Sequence, residues 1–170
     1  YPRWRQANAP PFLFDPRPTL PPAPPWDWQS AVNEADAFLN GRLRFFSALE
    51  VETGFPPDWA CDPSTAARLP LDRHWTDISD QAEPDIKFVW EPARFSWAYT
   101  LSRAYAASRA AGCAERYAEG FWTVLEDWME RNQPNRGPGW MDGQECALRL
   151  NAACFASAAV RKSPTTTPRR

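Results

Sequence analysis

Two short segments gather most of the side chains able to act on a polar ligand. Residues 87–97 carry Lys87, Trp90, Glu91, Arg94 and Trp97, and residues 135–149 carry Trp140, Asp142, Gln144, Glu145 and Arg149 behind a Gly/Pro-rich turn. A guanidinium is a planar fork that grips a carboxylate with two parallel hydrogen bonds. A glutamine amide is a neutral donor, and a glutamate can orient a neighbouring arginine. Indole faces stack on sugar rings and on bases as well as on core side chains. The candidates are therefore Gln144 and Glu145 for chemistry, with Arg94, Trp90, Trp140, Arg149 and His74 for ligand contact.

Each candidate also has a plainer use. Glu91 and Arg94 are three residues apart, hence neighbours on one helix face, and can form an internal ion pair that positions the helix. Lys87, four residues before Glu91, reads as a solvated or pairing charge. Gln144 and Glu145 follow a glycine at a helix start, where the dipole favours acids, and Asp142 is a natural N-cap there. His74 is the single histidine, and a lone loop histidine is more often structural than catalytic. Tyr99, Tyr105 and Tyr117 fall at helix-face positions that suit a core. One histidine and four cysteines without C-x-x-C spacing fail the test for a metal site, and no phosphate-cradling loop is visible. No metal or cofactor is expected.

The elements that must position these groups read as helical hairpins. Residues 1–29, with Pro10, Pro11, Pro16, Pro18 and the run from Pro21 to Pro25, are an extended arm. Its Phe12, Leu13, Phe14, Trp26 and Trp28 favour docking on the helices. Ser30 is the expected N-cap of a short helix ending before Gly41. Residues 42–52 alternate weakly, as a strand or irregular hairpin, and 54–84 are mostly an aromatic-rich loop. A helix is expected from near Asp85, running past Pro92, with Gly112 closing it. The next is the clearest: Tyr117, Phe121, Val124, Leu125, Trp128 and Met129 form one apolar stripe. A last helix from Gly143 is expected to bury Ala147, Leu148, Leu150, Cys154 and Phe155. Residues 161–170 form a basic, low-complexity tail expected to be unstructured. The helical domain proper is thus residues 30–160.

Length and composition bound the rest. At 170 residues the chain is about one domain. A net charge of −2 argues against a nucleic-acid backbone as partner, and no apolar run reaches membrane-spanning length. The cysteines Cys61, Cys113, Cys146 and Cys154 read as free and mostly buried.

The segments Phe45-Phe46, Gly54-Phe55-Pro56-Pro57-Asp58-Trp59, Trp75-Thr76-Asp77-Ile78-Ser79-Asp80, Asp85-Ile86-Lys87-Phe88-Val89-Trp90-Glu91, Arg94-Phe95 and Gly143-Gln144-Glu145 resemble the heparinase II/III-like family, specifically its N-terminal helical domain. The resemblance covers most of residues 5–160, with Trp90-Glu91-x-x-Arg94 its most specific mark. It implies an all-α fold, part of an incomplete α/α toroid of antiparallel helical hairpins behind a Pro-rich arm. It implies β-elimination on a uronic-acid-containing polysaccharide, an acidic polysaccharide as partner, and a periplasmic or cell-envelope setting. The proton beside a uronate carboxylate becomes removable only when that carboxylate is neutralised. In such lyases an amide or carboxyl group of the helical domain takes that role, so Gln144 would face the sugar carboxylate or a hydroxyl while Glu145 orients Arg149. The proton-transfer Tyr and His come largely from later in the chain. Two departures stand out. The family turn Gly-Pro-Asn-Trp reads Gly137-Pro138-Gly139-Trp140 here, without the amide. The likeness also stops near Val160, so the remaining toroid helices and the β-sandwich are expected to be missing, as in an inactive fragment whose basic tail reflects a change of frame.

Two other functions compete. An inverting glycoside hydrolase on a helical toroid would use two of Glu91, Asp142 and Glu145, set roughly 6.5–9.5 Å apart across a cleft. A non-catalytic helical interaction module would use the tryptophans simply as core.

Overall fold

The path of the chain turns on helix starts that the sequence marks with aspartate. The computed structural model describes residues 27–79 and 85–167. Helix α1 spans Trp28–Leu39, and Asp27, not Ser30, caps it by accepting from the Ser30 N–H at 3.0 Å. Trp28 and Gln29 thus belong to the helix, and the docking expected of the arm lies outside the described residues. Strands β1 (Arg42–Phe45) and β2 (Leu49–Glu52) pair antiparallel, confirming the hairpin, with Arg42 opposite Glu52 and Arg44 opposite Glu50. At its tip Phe46 and Ser47 both have positive φ, 50° and 63°, a pairing that suits a tight hairpin but costs side-chain-bearing residues.

After a loop broken by one 3-10 turn at Trp75–Asp77, Asp85 caps α2 (Ile86–Ala93) by accepting from the Lys87 N–H at 3.0 Å. The helix expected to run on past Pro92 stops just beyond it. Pro92 removes an intrahelical donor, and Phe95 takes a left-handed backbone, φ 61°, before α3 (Ser96–Ser108) begins. The break drives the Phe95 ring between Trp97 and Trp128, at centroid distances of 4.8 and 5.4 Å. It also frees the Pro92 carbonyl to accept from Trp97 Nε1 at 2.9 Å. Helix α3 ends at Ser108, before Gly112.

Helix α4 (Glu115–Arg131) keeps the expected stripe, burying Tyr117, Phe121, Val124 and Trp128, although Met129 is exposed. Gly120 lets α1 approach, since a Cβ there would meet Leu39 Cδ2 at 2.5 Å. A 3-10 turn at Pro138–Trp140 leads to α5 (Gly143–Val160), capped as expected by Asp142, which accepts from the Gln144 N–H at 2.6 Å.

Helix α3 is the centre of the molecule, packed by α1, α4 and α5. Most of it is buried, with small residues Ala98, Ser102 and Ala104 admitting its neighbours, and one stripe carrying Ser96, Tyr99 and Ala106 is exposed. Phe38 of α1 stacks flat on Trp97, 5.3 Å between centroids. The described chain is therefore mostly helical, with one small two-stranded sheet.

Three further expectations are corrected. Helix α5 buries Glu145, Arg149, Ala152, Ala156 and Val160, whereas Ala147, Leu148, Leu150 and Cys154 are exposed and Phe155 is half-buried. The helix is apolar around most of its girth, so the ion pair at its first turn and the alanine stripe set its rotation. Residues 161–167, expected to be unstructured, form turns against α4: Thr166 accepts from Trp122 Nε1 at 3.0 Å, and buried Ser163 bonds Glu115. All four cysteines are free, but Cys113 and Cys154 are exposed and the other two half-buried.

Candidate functional site

The two chemistry-bearing segments do meet, and they meet as a packed joint. Because α2 ends at Ala93, the Arg94 side chain crosses to the first turn of α5. Its Nε and Nη2 each donate to Glu145 at 2.7 Å, the bidentate fork, and its Nη1 donates to Glu91. Hydrogen bonding to Glu145 holds the Arg94 proton more firmly than usual. Glu91 uses its other oxygen to accept from the Phe46 N–H at 3.0 Å, pinning the strained hairpin tip. Phe88 supports the same tip edge-on, 5.2 Å from Phe46.

Arg149 holds the other half of the joint. Buried, it donates to the carbonyls of Ala93 at 3.1 Å and Gly139 at 2.6 Å, and lies over the rings of Trp128 and Trp140 at 4.4 and 5.5 Å. Burial draws its pKa down. Trp90 completes the contact by donating from Nε1 to the Pro138 carbonyl at 2.8 Å.

Each expected site residue thus has a definite place. Glu145 turns to Arg94 rather than orienting Arg149. Gln144 is exposed at the helix start. Trp90 and Trp140 are half-buried in the joint, and His74 is exposed, its Nδ1 2.8 Å from the Thr76 hydroxyl at the 3-10 turn. Glu91 and Glu145 share one guanidinium and Asp142 caps a helix, so this set offers no free carboxyl pair facing a water. Among the described residues no group of three or more His, Cys, Asp or Glu could hold a metal. Likewise no helix there is long and apolar enough to cross a membrane.

A large concavity lies apart from this joint. A cleft of about 510 Å³ opens between α1, the hairpin and the first turns of α3, within the span of roughly 300–1,000 Å³ usual for ligand sites. Arg42, Arg44, Arg103, Glu34, Glu50 and Tyr99 give it its character, with Ser30, Asn33 and Thr100 supplying neutral polar groups; Arg94 and Gln144 are not in its lining. Glu34 sits between two arginines, 3.1 Å from Arg103 and 3.6 Å from Arg44, and Arg44 also reaches Glu50 at 3.2 Å. Arg42 closes no ion pair among the described residues. The Tyr99 ring leans on Phe155 of α5, 5.1 Å away.

Sequence reasoning missed this cleft. Its signals were present: Arg42 and Arg44 alternate on the solvent face of β1, and Tyr99 and Arg103 lie one helical turn apart. Those charges gained meaning only once α1 was laid beside them. No known protein family, no curated protein and no solved structure matches the chain.

Proposed function

We propose that this chain is the glycan-binding helical part of a heparinase II/III-like polysaccharide lyase, holding a uronic-acid-containing polysaccharide in the cleft between α1, the hairpin and α3. The observation that carries this reading is the make-up of that cleft. Guanidinium groups suit carboxylates, and the hydroxyl and amide groups of Ser30, Asn33 and Thr100 suit sugar hydroxyls. The adjacency of α1 to α3 and of α3 to α5 supports this reading, since helices laid side by side are what a toroid wall would be built from. Three of the segments that carry the family likeness, Asp85–Glu91, Arg94-Phe95 and Gly143–Glu145, meet in the joint that fixes the hairpin, which supports a role in positioning the cleft wall.

Elimination needs a neutralised carboxylate and a proton acceptor. The cleft arginines can supply the first. For the second, Glu34 and Glu50 are tied to arginines and the single histidine caps a turn, while Tyr99 lines the cleft with its ring against Phe155. In this reading the chain's part is to bind the polymer rather than to eliminate. Incubation with heparan-type, alginate-type and hyaluronan-type polymers, followed by affinity electrophoresis and unsaturated-uronate absorbance, tests both halves. Retardation by at least one polymer without a rise in absorbance is expected. A robust rise overturns the division of labour, and no retardation by any polymer overturns the binding role. That last result would favour an interaction module, to which the burial of Trp59, Trp97, Trp122 and Trp128 lends support.

A further inference from the structure

We infer that the cleft selects a uronate glycan poor in sulfate, with Arg42 as the residue that meets the sugar carboxylate. The inference rests on the glycan-binding reading and sharpens it by charge. Among the described residues three guanidinium groups and two carboxylates line the cleft, an excess of one positive charge. Glu34 bridges Arg44 and Arg103, and Glu50 takes the remaining side of Arg44, so two of the three arginines are already engaged. Arg42 is the third. Glu52 lies opposite it in the strand register, yet no ion pair closes between them and Glu52 is not in the cleft lining.

Among the described residues the array has one free cation, which matches one carboxylate. Each sulfate added to the ligand would then face a cluster whose charges already cancel, and would gain little there in return for its lost hydration. A site built for densely sulfated chains would instead present several unpaired arginines. The neutral lining groups Ser30, Asn33 and Thr100 have the opposite preference, since they suit uncharged hydroxyls that sulfation would block.

The test is calorimetric titration of the full chain with two probes of equal length, a hyaluronan hexasaccharide and a heparin hexasaccharide, across a series of salt concentrations. The hyaluronan probe is expected to bind at least as tightly as the heparin probe, with log affinity falling against log salt with a slope of roughly −1, one ionic contact. Arg42→Ala is expected to weaken it about tenfold and flatten the slope, while Arg42→Lys restores the slope with partial affinity. Glu34→Gln should raise heparin affinity selectively. A heparin probe that binds tenfold tighter, or with a slope steeper than roughly −2, overturns the inference and leaves the binding role standing. An Arg42→Ala chain with unchanged affinity and a native circular dichroism spectrum also overturns it. Failure of both probes to bind removes the binding role and this inference together.

Discussion

Arg94 shows how much a single side chain can be asked to hold. It closes the contact between α2 and α5 and, through Glu91, the tip of the hairpin. Its side chain is 28% exposed, but Glu91 and Glu145 are nearly buried. Arg94→Ala would leave two carboxylates buried without their cation. Breaking such a pair costs about 3–5 kcal/mol, and partial exposure of the arginine places this case near 3 kcal/mol. Urea denaturation should show that loss, and Arg94→Lys should recover only part, because an ammonium cannot form the fork. A second residue carries a pH signature. Asp62 is buried; burial alone would raise its pKa, but Ser64 donates to it from its hydroxyl at 2.6 Å and its N–H at 2.8 Å, and the net shift is downward. A depressed folded pKa stabilises above the ordinary aspartate range, and that stability is lost as pH falls through the folded value. Asp62→Asn should therefore narrow the gap in urea midpoint between pH 7 and pH 3.

Among the elements, α5 separates what could be read from what could not. Its existence, its start at Gly143 and its Asp142 cap were legible, because aspartate before a glycine and a long helix-forming run have local causes. Its buried face was not. Leu148, Leu150 and Cys154 were chosen for their apolarity, but the face is set by Glu145 and Arg149, whose partners Arg94, Ala93 and Gly139 are distant in sequence. The same limit hid the break at Phe95, since the left-handed turn is held by rings from Trp97 and Trp128 rather than by a glycine. The hairpin and α4 were legible because alternation and an apolar stripe are carried by neighbours in the chain. A direct check follows from the face of α5. Leu150→Glu, at a position 65% exposed, should shift stability by less than about 0.5 kcal/mol. Ala152→Leu, at a position with no exposure, should cost about 1–3 kcal/mol by overpacking against α3. Reversal of that order in thermal unfolding would mean that α5 is turned the other way.

For the whole molecule, the joint and the cleft divide the work. Arg94, Glu145, Arg149, Trp90 and Trp140 fasten α2, the 3-10 turn and α5, and that fastening holds the hairpin whose outer face carries Arg42 and Arg44. Residues whose types suit contact with a ligand thus serve to place Arg42 and Arg44. The measurement that tests this most directly is amide hydrogen exchange with and without a hyaluronan hexasaccharide. The account predicts new protection in the hairpin and the first turns of α3, with residues 138–149 unchanged. Protection confined to residues 138–149, with the hairpin exchanging as before, would contradict it.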